Sequence, residues 1–316
     1  MTLRCLKGFF FILVLAIFSS CGGSSTTAGT KVTFTADGIS FKMAYVPGEL
    51  SFPVGTMDNS NPEHTVSRAY WIGETEVTYE LWNKVHTWAV ANGYTFANPG
   101  LAGSSGSGAV TEPVTTISWR DAMIFSNALT EWYNAKAGTN YTCVYYTDSN
   151  YTMPIRTVNS DAVNNLAPLA TQDAPWINSD ATGFRLPTID EWELAAKYKD
   201  GTSWTPGNYA SGATAYSIDY NSTLNPDESA TKAVAWCDAT ATQAVKLLLP
   251  NALGLYDMSG NVWEWTDTWY DGSSLRVIRS GGWDNGAGGM QIGFVFGYAP
   301  FNTKDSVGLR LSRTDL

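Results

Sequence analysis

Histidine is nearly absent from this sequence: His64 and His86 are the only two in 316 residues. A serine nucleophile needs a histidine partner, and neither histidine stands in a recognisable nucleophile motif. Cysteine is almost as scarce, with four in all. Cys5 and Cys21 fall in the N-terminal leader, Cys143 and Cys237 fall in the body, and none follows Cys237. The pair in the body is either a disulfide, which an exported protein permits, or two free buried thiols; their spacing does not decide. Positive charge is in deficit, with 19 Lys and Arg against 29 Asp and Glu and a formal net charge of -10. Such an acidic body repels phosphate backbones, which argues against nucleic-acid binding. No glycine-rich phosphate loop follows a strand-like segment.

Long apolar runs are missing too. The run from Phe9 to Phe18 is too short to span a bilayer comfortably. With Arg4 and Lys7 before it, residues 1–20 read as an export signal. Phe18-Ser19-Ser20-Cys21 resembles a bacterial lipoprotein cleavage box, although Leu is commoner at the place of Phe18. Cys21 would then carry the acyl chains and begin the mature protein; the alternative is an ordinary secretory peptide cut nearby. Residues 21–30, rich in Gly, Ser and Thr, read as a flexible tether. The expected location is the outer membrane and cell surface, through the lipid anchor.

What the chain does have is aromatic surface and glycine. Hydrophobic residues make up 44%, with 13 Trp, 16 Tyr and 29 Gly. That supports one large, loop-rich domain over 31–316, expected to be a monomer. Residues 31–46 alternate apolar and polar around Asp37-Gly38 and predict a hairpin. His64–Thr78 reads as a strand, and Thr78 caps a helix from Tyr79 to about Asn92. Ser118 caps a second helix that Gly138 ends. Thr188 and Glu191 form a capping box for a third, with Gly201 as its stop. Residues 141–181 and 202–250 show little periodicity, and short strand-like pieces follow Leu255. Few helices, short antiparallel strands and long loops make an α+β fold.

Six segments carry a family resemblance, in order: EVTYELWNKV (76–85), PVTTISWRDAMIFSNAL (113–129), GFRLPTIDEWELAAK (183–197), GLYDMSGNVWEWTDTWY (254–270), RVIRSGGW (276–283) and VGLRLSR (307–313). Together they resemble the formylglycine-generating-enzyme (sulfatase-modifying factor) family, and so imply its variant of the C-type lectin fold. On chemistry alone Trp263 and Trp265 read as core rings, and Arg185 with Glu191 as an ion pair or cap. The resemblance implies a calcium site from Asp257, the Gly260 and Val262 carbonyls, and Glu264; hard oxygens of both kinds suit that ion. A hydrogen-bonding cluster without metal is the other reading of the same residues. No other cofactor is required.

The family's oxidase chemistry needs two cysteines after the RGGSW-like motif, to bind copper and engage a thiol. Those positions fall near Asn285 and Met290. A related branch holds iron with three histidines, more than this chain contains. No enzyme activity is therefore expected.

The segment from Trp283 to Leu309 resembles the variable region of proteins diversified by retroelements, among them spirochaete surface lipoproteins. Trp283, Ala287, Pro300 and Val307-Gly308-Leu309-Arg310 stand at the offsets of that frame. Between them lie Asp284, Asn285, Gly286, Gly288, Gly289, Phe294, Phe296, Gly297, Tyr298, Ala299, Phe301, Asn302, Asp305 and Ser306. Each is reachable from an AAC codon by changing only its adenines; Lys304 is not. The resemblance implies a hypervariable ligand-binding segment over 284–306, for an extracellular protein or glycan. Alternation places the rings at 294, 296 and 298 on one face of an extended segment, where they either face a ligand or pack in the core. Val277, Ile278, Trp283, Leu309 and Leu311 are the expected buried framework. The rival reading is a static, catalytically inactive family member with a fixed glycan or peptide ligand.

Overall fold

The computed structural model of the chain describes residues 26–56, 62–162, 170–216 and 228–315. The expected export signal and the expected acylation position Cys21 lie outside the described residues. Strands β1 (Lys31–Ala36) and β2 (Ile39–Val46) form the expected hairpin. Asp37 at φ 47° and Gly38 at φ 82° make its turn, where the left-handed region favours these two residue types. The tether is shorter than the sequence indicated. Gly29 N donates to Tyr45 O at 2.9 Å and Tyr45 N to Thr30 O at 2.9 Å, so the chain is already part of the folded body there.

His64–Thr78 is not one strand. It holds the end of β4 (Glu63–Val66), which pairs with β3 (Leu50–Pro53), and then β5 (Tyr70–Gly73), which pairs with β2. The break falls at Ser67–Ala69, where the Arg68 guanidinium reaches away to Ser179 O and Asp180. Helix α1 (Tyr79–Ala91) begins at Thr78, whose hydroxyl accepts from Leu81 N. Strands β6 (Leu101–Ala102) and β7 (Val114–Thr115) make a short ribbon before helix α2 (Trp119–Ala137). The second helix has a full capping box between Ser118 and Asp121, and ends at Gly138 in the left-handed conformation. After the ribbon of β8 (Tyr145–Tyr146) and β9 (Trp176–Ile177), helix α3 (Ile189–Lys197) starts on the Thr188–Glu191 capping box. It stops at Lys197 rather than Gly201, because Tyr198 is extended and bridges Trp204; Gly201 at φ 89° turns the chain between them. A short helix α4 (Glu228–Lys232) follows, in a region where periodicity gave no signal.

The last part places the site. Strands β10 (Trp263–Trp269), β11 (Arg276–Arg279), β12 (Phe296–Tyr298) and β13 (Val307–Leu309) form a sheet of order β12-β11-β10-β13. Then β14 (Ser312–Thr314) joins the N-terminal sheet beside β5, giving the order β1-β2-β5-β14. The chain between β11 and β13 is thus clamped at both ends by strands in the middle of the fold. Between the sheets and α1, α2 and α3 lies the core, with Trp82, Trp119, Trp132, Trp192 and Trp265 fully buried. Rings of that size dominate the burial energy, at about 25 cal/mol per Å² of apolar surface.

Candidate functional site

The segment from Asp284 to Ser306 is fastened through its main chain. Asp238 N donates to Asn285 O at 2.8 Å, and Ala239 N to Trp283 O at 2.9 Å. Ile292 N and Gly293 N donate to the carbonyls of Tyr209 and Gly207, both at 2.8 Å. The buried Arg279 guanidinium donates to Ile292 O at 2.7 Å and Phe294 O at 2.9 Å, and is fixed by Glu193 at 2.8 Å. Thr116 N reaches Lys304 O, and Trp263 N reaches Ser306 O. Framework residues hold this path, which leaves part of its side chains free of structural work.

Those side chains converge. A cleft of about 390 Å³ is lined by Trp263, Ile278, Asn285, Phe294, Phe296, Tyr298, Lys304 and Val307. An adjoining one of about 430 Å³ shares Trp263, Asn285 and Phe294 with it and adds Glu228, Asp238, Gly286, Ala287, Gly288 and Gly289. The rings at 294, 296 and 298 do share one side. Phe294 and Phe296 each lie 6.0 Å from the Trp263 ring, and Tyr298 stacks on Trp265 at 5.7 Å. Phe296 is 49% exposed despite its contact with Trp263.

Other positions depart from the sequence reading. Ala299 and Ser306 are buried, so neither side chain faces a ligand. Phe301 sits under the Arg120 guanidinium, outside both clefts, as does the half-buried Asn302. Gly297 lies against the Tyr270 ring, 2.6 Å from where a Cβ would stand. Asp284 is exposed and pairs with Lys304 at 2.7 Å, while Asp305 is exposed beside it. Of the framework set, Val277, Ile278, Leu309 and Leu311 are buried, but Trp283 is only half-buried, with its Nε1 on Asp305 O at 3.4 Å. Trp263, Ile278, Val307, Ala287, Lys304, Glu228 and Asp238 line the clefts without having been indicated as ligand positions by sequence. The first was read as core, and it is buried; what covers its ring is the site itself.

Two further groups bear on chemistry. Glu264 is fully buried, and both its oxygens face the Arg310 guanidinium at 2.7–3.0 Å while Trp192 Nε1 donates to one at 2.6 Å. The same guanidinium donates to Asp257 O and Tyr256 O, Gly260 O accepts from Ser280, and Val262 N is held by Glu76. Glu264 therefore does not fit a calcium ligand in this arrangement, since Arg310 supplies the cation it faces, whereas Asp257 Oδ1 is buried without a hydrogen-bond partner. Among the described residues no three His, Cys, Asp or Glu side chains are grouped to hold a metal. Cys143 and Cys237 are free and buried. Cys237 packs with Ala287 and Met290 below the second cleft, and burial pushes its thiol up to about 11. It stays protonated at neutral pH, and so lacks the thiolate that a nucleophile or soft metal ligand needs.

Comparison with known proteins agrees with this architecture. A protein named chaperone protein LppX, from Paenibacillus barcinonensis, is 27% identical over 337 residues, covering 98% of this chain and 99% of that one. An inactive C-alpha-formylglycine-generating enzyme 2 from Mus musculus is 30% identical over 149 residues, 40% of this chain and 42% of its own. Among solved structures, Treponema denticola variable protein 1 superposes with a TM-score of 0.63 at 29% identity, over 90% of this chain and 99% of that one. The model of the sulfatase-modifying factor enzyme 1-like domain matches residues 37–315, and the chain belongs to that family.

Proposed function

We propose that this protein is a lipid-anchored binding protein whose ligand site is the aromatic double cleft around Trp263, and that retroelement-directed mutation of segment 284–306 changes what the site binds. One observation carries the reading: the segment is tied down by main-chain bonds and framework arginine, while its Asn285, Phe294, Phe296 and Tyr298 side chains line one cleft. A scaffold built that way tolerates substitution where it contacts ligand. The ligand is an extracellular protein or glycan, with rings supplying contact area at low entropic cost. No covalent chemistry is assigned. Asn285 and Met290 stand where the family's oxidase chemistry needs cysteines, and likeness to an inactive relative and to a variable protein supports the same view. Cys21 is the acylation position and the cell surface the place of display.

The test is a library randomised at Asp284, Gly286, Gly288, Gly289, Phe294 and Phe296, with the rest of the chain unchanged. Most members are expected to fold, and selection on protein and glycan arrays yields binders of differing specificity. A library that largely fails to fold, or folds and selects nothing, contradicts the reading.

A further inference from the structure

Leu247 and Leu249 are the two most exposed large apolar side chains among the described residues, at 61% and 63%. They stand in the loop Lys246–Pro250, next to Lys246, whose side chain is also exposed but less so. Both ends of this stretch are tied to the place where the folded body begins. At one end Lys246 Nζ lies 2.9 Å from Glu74, the same carboxylate that Lys31 approaches at 3.7 Å. Past the other, beyond Pro250, Lys31 Nζ donates to Gly254 O at 2.7 Å, and Gly29 packs on the Leu253 backbone. The leucines therefore flank the exit of the N-terminal tether.

We infer that this leucine loop is the face the protein lays against the membrane that holds its anchor. The inference rests on Cys21 being acylated. From Cys21 to Gly29 is eight residues, so the body can stand off by no more than roughly 26–29 Å, at about 3.3–3.6 Å per residue. That short reach keeps the loop at high effective concentration over the lipid surface. Two neighbouring exposed leucines suit an interface, where their alkyl groups enter the acyl boundary; the Lys246 ammonium beside them stays paired with Glu74. The occupant is the lipid surface; an acidic chain of net charge -10 is expected to prefer a neutral one.

The experiment uses the full acylated chain on phosphatidylcholine vesicles, with a nitroxide on Leu249→Cys. Cys143 and Cys237 are buried, so the introduced thiol is the one labelled. Flotation of the acylated chain against Cys21→Ser reports the anchor separately. Expected is flotation that needs Cys21, with collisions at 249 shifting several-fold from a water-soluble nickel complex towards oxygen on the vesicles. Adding Leu247→Glu should reverse that shift while flotation persists. Flotation with a label as aqueous as in the free Cys21→Ser form overturns the contact face and leaves the anchor standing. Flotation that is absent, or independent of Cys21, overturns both. If Leu249→Cys does not fold, the label at Leu247→Cys gives the same readout.

Discussion

Trp263 Nε1 donates a 2.8 Å hydrogen bond to Asn285 Oδ1, which also accepts from Gly282 N at 2.9 Å. One side chain of segment 284–306 thus fixes both the cleft wall and the turn that opens the segment. Asn285→Ala is expected to lower stability by about 1 kcal/mol, because water in the cleft takes over part of what is lost. Asn285→Asp keeps the acceptor and should cost less. Phe296→Ser, at an exposed ring, should stay within about 0.5 kcal/mol of the parent. Urea denaturation of the three variants checks the order.

Glu264 and Arg310 form a pair with both side chains wholly inside the protein. Removing one partner leaves the other charge buried, which typically costs about 3–5 kcal/mol. Glu264→Ala should therefore be among the most destabilising single changes. Since the guanidinium already serves as the cation, melting temperature is expected to be the same in calcium and in chelator. A calcium-dependent rise in the parent that Glu264→Ala abolishes is the contrary result.

Stability should fall as pH rises from about 4 to about 6. Burial pushes Asp267 up to about 6, with Arg276 and Arg185 only partly offsetting it, and burial likewise pushes Asp257 to about 6. In the unfolded chain an aspartate titrates near 3.9, so between these values the folded state holds the extra protons. Those protons favour folding at the acid side and are lost through the folded pKa. Each group contributes on the order of 1–3 kcal/mol across that window. Glu76 is shifted in the same direction, chiefly by burial. Surface Asp200, held down to about 2 by the Thr202 backbone N–H, acts oppositely but only below that range. Denaturation at pH 4.5 and 7 measures the slope, and Asp267→Asn should flatten it.

Ala299 and Ser306 are buried within the variable stretch, at 8% and 0% exposure. Large side chains there would overpack the core, at about 1–3 kcal/mol each. Natural variants should accordingly keep small residues at these two positions while those at 286, 288, 294 and 296 range widely. Comparing melting temperatures of Ser306→Phe and Gly286→Phe separates the cases, with loss expected only in the first.

Much of the fold was legible because it is written locally. Thr78, Ser118 and Thr188 cap the helices they announce, and Asp37-Gly38 turns the first hairpin; each signal spans a few residues. The site was half legible. The family resemblance between Trp283 and Leu309 located the segment, but its partners come from far along the chain. Trp263 looked like core because tryptophan usually is, and it is buried there, yet its ring also contacts Phe294 and Phe296 in the cleft. Glu228 and Asp238 come from a stretch with no periodicity to mark them. The calcium reading considered Glu264 with its sequence neighbours and not Arg310, which arrives 46 positions later. A split between β4 and β5 was equally hidden, since the three residues separating them look no different from strand.

The most direct measurement is deep sequencing of codons 276 to 313, with the neighbouring DNA, in a population grown from a single cell. Changes are predicted at the cleft positions 285, 286, 288, 289, 294, 296 and 298, each traceable to adenines in a nearby template copy. Val277, Ile278, Leu309 and Leu311 should stay constant. Uniform codons throughout, and no template copy, would contradict diversification and leave a fixed binding site.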